Sequence, residues 1–462
     1  KQSFSMQTYL FYDTETTGLS ESFDQILHFA AIRTDLNLKE LERYELKIRL
    51  NPDAVPSPQA MITHRMNFKE VTEGISEYDA IKKIHRWVNQ PGTISLGYNT
   101  LDFDDIFLRF GFYRNLLSPY THQFKNNCSR LDLYPMAVMY FLFKNKNITW
   151  PEINGKTSLK LDALNTANQF VSGRSHHAMV DVEVTLALAR CFFKDQEMWQ
   201  HLLGYFNKQE DEKRVQSLQK EAVLMVRSKF GAEQRYQCPV LFLGNRPHYK
   251  QLLWLRLDSE TLSQTTIENF PEANFILRKK FGEPPFILPP RFLEQLKPER
   301  LVVAEKNKKW LQQNTSLLEK IITYQTQYRY PHHPTADVDS NLYIDGFWST
   351  EEENFCRAFH AATPNEKARL AEKIKIPRVQ QLATRLLGRH FPENLTPAQA
   401  EQFADYMKKV QTADEAEALI DYQDKKRLTP TVALADLLAL RKTALDDEQI
   451  EILNQLAAYL VR

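Results

Sequence analysis

Two acidic residues stand one residue apart at the end of an apolar segment near the start of the chain. In YLFYDTETTG, Tyr9–Gly18, Asp13 and Glu15 follow residues that favour a buried strand. Alternate side chains of a strand point to opposite faces, so a strand over Tyr9–Glu15 sends both carboxylates to the same side. Like charges held close together are costly unless a cation lies between them. The pattern therefore indicates a metal site, although a solvated strand end would have the same local sequence.

Strands and helices alternate over the first part of the chain, which is the pattern of a layered α/β domain. The predicted strands are Tyr9–Glu15, Phe29–Thr34, Tyr44–Leu50 and Ile94–Tyr98. The predicted helices are Glu77–Val88, Asp104–Leu116, Leu131–Phe143, Leu159–Phe170 and His177–Phe193.

The sequence changes character beyond Lys194. Short β-rich segments, CPVLFLGN and QLLWLRLD among them, precede prolines at positions 284, 285, 289 and 290 that interrupt regular structure. Helix-start signals then recur at Ser349 with Glu352, at Thr363-Pro364, at Thr396-Pro397 and at Thr429-Pro430. The predicted domains are 1–194, a smaller strand-containing domain at 195–345 and a helical domain at 346–462.

Composition limits the classes of function. The 462 residues carry 59 Lys and Arg against 58 Asp and Glu, so any surface for nucleic acid must be local. The four cysteines are far apart, which predicts neither a cysteine zinc site nor a disulfide framework and favours a reduced cytoplasmic setting. The apolar run MAVMYFLF is too short to cross a bilayer, so no membrane association is expected.

Two further segments place acids in unusual positions. GYNTLDFDD, Gly97–Asp105, puts Asn99 and Asp104 at a turn from strand to helix, where a carboxylate is also favoured by the helix dipole alone. SHHAMVDVEVTLALA, which starts at residue 175, puts Asp181 inside an apolar helix-forming run, shortly after two histidines. Acids are seldom buried without a partner, so Asp181 is a candidate ligand.

In chain order these segments read D-x-E, N-x4-D and H-x4-D, which resembles the DEDD superfamily of 3′→5′ exonucleases in its histidine-bearing branch. The resemblance implies that four acids bind metal and that one histidine is the general base: Asp13, Glu15, Asp104, Asp181 and His176. The neighbouring His177, and the nearby Asp102 and Asp105, are then expected to have no catalytic role. Two Mg²⁺ ions roughly 4 Å apart would stabilise an in-line displacement at phosphorus. Mn²⁺ is expected to be able to take the place of Mg²⁺.

Within that superfamily the chain is similar to the exodeoxyribonuclease I family. The segments that carry this resemblance are FAAIRTD (Phe29–Asp35), FYRN (Phe112–Asn115), ITWPE (Ile148–Glu152), HAMVDV (His177–Val182), SKFGA (Ser228–Ala232), DVDSNLYIDGFWS (Asp337–Ser349) and HFPENL (His390–Leu395). It implies an α/β ribonuclease-H-like exonuclease domain, then a Src-homology-3-like β-barrel domain with helices, and a C-terminal all-helical domain. It also implies Mg²⁺-dependent degradation of single-stranded DNA to nucleoside 5′-monophosphates, in DNA repair and recombination.

Predicted substrate contacts lie beside the acids. They are Glu15, Thr16, Asn99 and Lys160. Arg130 could contact phosphate or form a buried ion pair with Asp132. His28 stands where the family pattern has glutamine, and we expect it to alter loop contacts without changing metal binding.

A basic segment, Leu277–Lys309, has nine Lys and Arg against four Glu, a net charge of +5. Such a segment can be an ordinary solvated face. The resemblance suggests a partner for it, the acidic C-terminal tail of single-stranded DNA-binding protein. A monomer is expected.

Two alternative functions fit the same residues. A 3′→5′ exoribonuclease of the same superfamily would share the catalytic residues, because the core does not separate DNA from RNA. A non-catalytic single-strand-binding scaffold would bind nucleic acid without releasing nucleotides.

Overall fold

The acid-bearing segment near the N-terminus forms the central strand of a five-stranded mixed sheet. The computed structural model describes residues 7–144, 146, 148–266, 268–270, 274–330 and 333–461. The strands of the first sheet are β1 (Thr8–Thr16), β2 (Ile26–Thr34), β3 (Glu40–Lys47), β4 (Thr93–Leu96) and β5 (Ser129–Arg130), in the order β3-β2-β1-β4-β5. Strands β1 to β3 pair antiparallel, whereas β4 and β5 run parallel to β1.

The remaining strands form two antiparallel groups. The short pair is β6 (Glu152–Ile153) and β7 (Lys156–Thr157), and the larger sheet contains β8 (Val223–Val226), β9 (Gln237–Arg246), β10 (Gln251–Arg256), β11 (Ile276–Lys279) and β12 (Phe286–Leu288). The larger sheet has the order β11-β10-β9-β8-β12. The predicted strand-containing region at 195–345 thus contains a β-sheet with helices before and after it, and its assignment as a Src-homology-3-like barrel stays a prediction.

Helices occupy most of the rest of the described chain. The first nine are α1 (Pro58–His64), α2 (Phe68–Glu73), α3 (Glu77–Val88), α4 (Asp104–Arg114), α5 (Leu133–Phe143), α6 (Leu161–Asn168), α7 (Ala178–Phe193), α8 (Gln196–Leu203) and α9 (Lys208–Gln216). Later helices are α10 (Pro298–Gln313), α11 (Thr315–Gln327), α12 (Leu342–Asp345), α13 (Thr350–Ala361), α14 (Pro364–Lys373), α15 (Pro377–His390), α16 (Pro397–Val410), α17 (Pro430–Leu440) and α18 (Asp447–Leu460). No helix in the described part of the chain combines the length and apolarity that a bilayer crossing needs.

Contacts divide the chain into two compact units. Unit 1 comprises the described residues of Lys1–Arg130, Val171–Leu186 and His332–Arg462, and unit 2 those of Leu131–Phe170 and Ala187–Pro331. Unit 1 therefore joins the first sheet to the C-terminal helices. The sequence-based boundaries after 194 and 345 stay a prediction.

The core of unit 1 follows from the apolar periodicity of its elements. In α3, Ile81, Ile84 and Val88 are buried at helical spacing and pack with residues of β1 and β2. A second cluster joins Phe110 of α4 to Phe359 of α13 and to residues of α15, which attaches the C-terminal helices to the α/β layer. The α/β fold at the start and the helical C-terminal region are both confirmed.

Local sequence signals set most element boundaries. Ser349 and Thr363 form the predicted capping boxes at the starts of α13 and α14. Strand β3 begins earlier than predicted and ends at Lys47, after which Ile48 forms a parallel bridge with Ile75 instead of continuing the ladder. Helix α6 is shorter than predicted because Gln169 adopts a left-handed conformation with φ 51°.

Candidate active site

Four carboxylates from three elements of unit 1 lie together at the end of β1. Oxygen atoms of Asp13, Glu15 and Asp181 all lie within 4.8 Å of one another. Asp104, the first residue of α4, is close enough that its charge raises the pKa of both Asp13 and Glu15. We call these four residues the acid cluster.

Strand β1 presents the first two acids by its register. Asp13 pairs with Ala30 and Glu15 with His28 of β2, and a bulge follows between Glu15 and Thr16. The central strand is buried over most of its length, yet Asp13 and Glu15 are only partly buried. Asp13 and Glu15 therefore share one face of β1, and this face is only partly buried at their positions. The shared face is the one that the D-x-E spacing predicts.

Asp104 is fixed by contacts with β1. Its Oδ1 accepts hydrogen bonds from the Thr14 backbone N–H at 3.0 Å and from the Thr14 hydroxyl at 2.5 Å. The turn that leads to α4 needs Gly97, because a Cβ there would lie 2.4 Å from the Tyr12 carbonyl oxygen. Asn99 then takes a left-handed conformation with φ 67°, which asparagine tolerates better than most residues.

Asp181 lies in the first turn of α7 and anchors the segment before it. Its Oδ2 accepts a hydrogen bond of 3.1 Å from the backbone N–H of His176. His176 has φ 61°, a left-handed conformation that costs a non-glycine residue about 1–3 kcal/mol and so needs such support. The His176 side chain is exposed and that of His177 is partly buried.

Burial and mutual repulsion both disfavour the charged form of these acids. The pKa of Asp13 is raised first by burial and then by the charges of Asp104, Glu15 and Asp181. Burial and neighbouring carboxylates likewise raise the pKa of Glu15. Burial raises the pKa of Asp104 to about 7, even though the Thr14 hydrogen bonds favour its ionised form. Such a group of hard oxygen donors fits divalent cations, which would neutralise the repulsion.

Asp105, the neighbour of Asp104, has the opposite environment. It is fully buried and contacts Arg130 Nη1 at 2.6 Å, Arg109 Nε at 3.1 Å and His122 Nε2 at 2.8 Å. Against the effect of burial, Arg130 and Arg109 hold its pKa well below the usual range. Arg130 thus pairs with Asp105, a partner that the sequence did not suggest. The Asp132 side chain accepts a hydrogen bond from the Tyr134 N–H and caps α5, and its predicted ion pair with Arg130 stays a prediction.

The other predicted contacts have varied surroundings. Thr16 is buried and its hydroxyl donates to the Gly18 carbonyl at 2.7 Å, so it shapes the loop after β1. Asn99 is half-buried on the turn before α4. Lys160 belongs to unit 2, where it is exposed and directly precedes α6.

Sequence reasoning missed two residues of this region. Thr14 holds Asp104 through two hydrogen bonds, a non-local contact for which the sequence contains no signal. Leu19, on the loop after β1, leaves 82% of its side chain exposed although it is apolar. An apolar residue next to D-x-E and between glycine and serine is a weak signal that could have drawn attention to it.

Fewer cations of the basic segment, Leu277–Lys309, are available to a partner than its net charge indicates. Lys279 is buried in an ion pair with Asp211 at 2.7 Å, and Arg300 pairs with Asp258. Both acids lie outside the segment and offset part of its net charge. Exposed cations of the segment are Arg278, Lys280, Arg291, Lys297, Lys306 and Lys309.

Known protein families and relatives match this sequence over most of its length. The exonuclease family model matches residues 10–189, and that of the exonuclease I C-terminal domain matches residues 336–462. Exodeoxyribonuclease I of Escherichia coli K12 is 27% identical over 451 residues, 91% of this chain and 94% of that protein.

Solved structures agree with these matches. Exonuclease I from Methylocaldum szegediense has a TM-score of 0.83 at 26% identity, covering 98% of this chain and 99% of that one. E. coli exonuclease I in complex with a dA16 oligonucleotide has a TM-score of 0.83 at 24% identity, covering 98% and 99% of the two chains. With two family domains in the same order and a full-length relative, the chain belongs to the exodeoxyribonuclease I family and is an exonuclease.

Proposed function

We propose that this exonuclease removes nucleoside 5′-monophosphates from the 3′ end of single-stranded DNA with two divalent metal ions. The observation that carries the proposal is the acid cluster, in which carboxylates from separate elements meet although the neighbouring charges raise the pKa of Asp13 and Glu15. Full ionisation of such a group needs cations among the oxygens. Mg²⁺ suits these donors because it prefers oxygen ligands and retains waters, and Mn²⁺ would substitute.

The four acids would hold the ions: Asp13, Glu15, Asp104 and Asp181. When bound, the ions supply charge stabilisation to the attacking and departing oxygens of an in-line displacement. The chain supplies the preorganisation. Thr14 orients the Asp104 carboxylate, and the bulge after Glu15 lets β1 end beside the site.

His176 is the proposed general base, which takes the proton of the attacking water. Its imidazole is exposed, while its backbone N–H is bound to Asp181. Anchoring the backbone to a metal ligand limits the distance between the imidazole and a water in the site. Imidazole changes its charge near neutral pH, and a positioned base contributes about 10²–10⁴ to the rate.

The substrate is proposed to be single-stranded DNA because a full-length structural relative is described in complex with a dA16 oligonucleotide. Glu15, Thr16, Asn99 and Lys160 remain the proposed contacts. We add Leu19, whose side chain is exposed on the loop that follows the acid-bearing strand β1 and would contact the terminal base. Apolar contact with a base face tolerates any sequence, as expected of an enzyme that degrades every strand it meets.

A partner is proposed for the exposed cations of the basic segment, namely the acidic C-terminal tail of single-stranded DNA-binding protein. Charge reversal at Lys306 and Lys309, both exposed on α10, should weaken binding of a tail peptide in fluorescence anisotropy. A parent chain that binds no peptide at low salt would remove this proposal. We further propose a cytoplasmic monomer that acts in DNA repair and recombination.

The function is tested with 3′-labelled and 5′-labelled single-stranded DNA, in Mg²⁺ or chelator, for the parent chain and Asp13→Asn. We expect label release from the 3′ end first, abolished by chelator and by the substitution. A matched RNA oligonucleotide degraded faster than the DNA would favour the exoribonuclease. Binding of DNA without Mg²⁺-dependent release of nucleotides would favour the scaffold.

A further inference from the structure

A second group of metal-binding side chains lies in unit 1, beside the acid cluster but separate from it. His28 is on β2, Glu45 is on β3 and His177 directly precedes α7. One donor atom from each of the three lies within 4.8 Å of the other two. His28 Nε2 is already at hydrogen-bond distance, 2.9 Å, from Glu45 Oε1.

His177 points to a missing ligand. Its Nδ1 atom is buried and has no hydrogen-bond partner in the described part of the chain. The His177 ring stands edge-on to the His28 ring, with centroids 4.9 Å apart and planes at 77°. A buried polar atom left without a partner destabilises the fold, and a bound ion would remove that cost.

The chemistry of the donors selects the ion. Two imidazole nitrogens and one carboxylate oxygen are the donors that zinc and neighbouring first-row metals take, whereas Mg²⁺ prefers oxygen alone. Zinc bonds of about 2.0–2.1 Å place donors about 3.3 Å apart in a tetrahedron. His28 Nε2 and Glu45 Oε1, at 2.9 Å, are about 0.4 Å closer than that spacing, so a small separation of the two side chains would let the ion replace their hydrogen bond.

We propose that His28, Glu45 and His177 bind one Zn²⁺-type ion at a site distinct from the acid cluster. The side chain of Glu45 is 42% exposed, which gives the ion an entry path from solvent. The bound ion ties the segment before α7 to the edge of the first sheet. His176 belongs to that segment, so ion binding also reduces the motion of the residue next to His177.

The test uses Co²⁺ as a spectroscopic probe for Zn²⁺, in the Asp13→Asn chain and with millimolar Mg²⁺, so that the acid cluster contributes little. We expect one Co²⁺ per chain with the visible absorption of a four- or five-coordinate site. His28→Gln and Glu45→Gln should each weaken its affinity by at least about 100-fold, since even groups that support a ligand are worth 10–100-fold. His248→Gln, which removes an exposed histidine of unit 2, is the matched control and should bind Co²⁺ normally.

Two further readouts separate ligand loss from misfolding. Imidazole ¹⁵N spectra should show Zn²⁺-induced shifts for two histidines, and hydrogen exchange of residues 174–178 should slow with Zn²⁺ in the Asp13→Asn chain but not after the added His28→Gln change. Circular dichroism must show both chains folded. Equal Co²⁺ affinity with and without His28, or a spectrum of six oxygen ligands, would overturn the proposal. Because Asp13→Asn removes the proposed nuclease activity, neither result depends on the proposed function.

Discussion

Unit 1 contains two groups of buried or half-buried carboxylates with opposite surroundings. In the acid cluster, the neighbouring charges that act on Asp13 and Glu15 are other carboxylates, and their pKa values are raised. In the second group, which we call the arginine cluster, acids meet arginines: Asp53, Asp337 and Asp339 with Arg385, Arg389 and Arg427. Here Arg389 and Arg427 outweigh burial and hold the pKa of Asp53 well below its usual range.

The two groups of carboxylates differ in what balances their negative charge. Arg389 contacts Asp53 Oδ2 at 2.8 Å and Asp339 Oδ2 at 2.5 Å, so these charges are balanced within the fold. In the acid cluster, by contrast, the charges that act on Asp13 and Glu15 are those of other acids, and we propose that cations balance them. The adjacent residues Asp104 and Asp105 repeat this contrast within one helical turn, with the pKa of Asp104 raised to about 7 and that of Asp105 lowered.

The largest expected effect separates those two neighbours. Asp104→Asn should lower Mg²⁺-dependent release of nucleotides about 1,000-fold or more, because it removes a proposed metal ligand, and such a ligand would be worth several kcal/mol in the transition state. Asp105→Asn should instead destabilise the fold by about 3 kcal/mol, because Arg130 and Arg109 lose their partner. Nuclease assays and urea denaturation of both variants check this, and equal loss of activity per folded molecule would break the comparison.

The proposed general base can be tested separately from the proposed metal ligands. His176→Ala should slow cleavage about 10²–10⁴-fold while DNA binding and metal binding persist, because only proton transfer is lost. Single-turnover kinetics with preformed enzyme–DNA complex measure the step. His177→Ala, the matched control, should cost far less in Mg²⁺ free of other metals. The reverse ranking of the two variants would exchange their roles.

The arginine cluster should respond through stability alone. Arg389→Ala should lower the free energy of unfolding by about 3–5 kcal/mol, because it leaves Asp53 and Asp339 buried with less compensation. Asp13→Asn, measured without metal, should not destabilise the chain. Chemical denaturation of both variants in chelator gives the two values, and a stable Arg389→Ala chain would contradict the assignment of these arginines.

The smallest expected effect is a pH dependence of stability. An acid whose pKa rises on folding destabilises the metal-free fold above its folded pKa, and the penalty vanishes below its unfolded value of about 3.9. For Asp104 the folded pKa is about 7. A rise of the pKa from about 3.9 to about 7 corresponds to about 4 kcal/mol. Because an amide accepts the Thr14 hydrogen bonds less strongly than a carboxylate, Asp104→Asn should recover about half of this, so we expect a gain of about 2 kcal/mol at pH 8 in chelator and less with each step down to pH 4. A gain that does not change with pH would mean that the charge of Asp104 is not the cause.

The sequence predicted the parts of the site that depend on local spacing. D-x-E on an apolar strand places Asp13 and Glu15 on one face whatever the rest of the fold does. The choice of Asp104 over Asp105 came from the resemblance, because both are acids at a helix start. Their physical difference lies in Arg130, 25 positions away from Asp105, and in Thr14, 90 positions away from Asp104.

Long-range pairing was beyond such reasoning. Arg389 and Asp53 are 336 positions apart, and no periodicity of either segment predicts their contact. For the same reason the net charge of the basic segment does not include Asp211 and Asp258. These two acids lie elsewhere in the chain and neutralise Lys279 and Arg300. Charge counts within a segment describe its composition, whereas only the fold shows which charges remain available.

We propose that divalent cations complete the acid cluster, and Mn²⁺ binding measured by electron paramagnetic resonance at pH 8 tests this directly. We expect two Mn²⁺ per parent chain, fewer in Asp104→Asn, and two in the folded fraction of Asp105→Asn. Equal Mn²⁺ binding by the parent and Asp104→Asn, or none by the parent at millimolar Mn²⁺, would show that the acid cluster does not bind these ions.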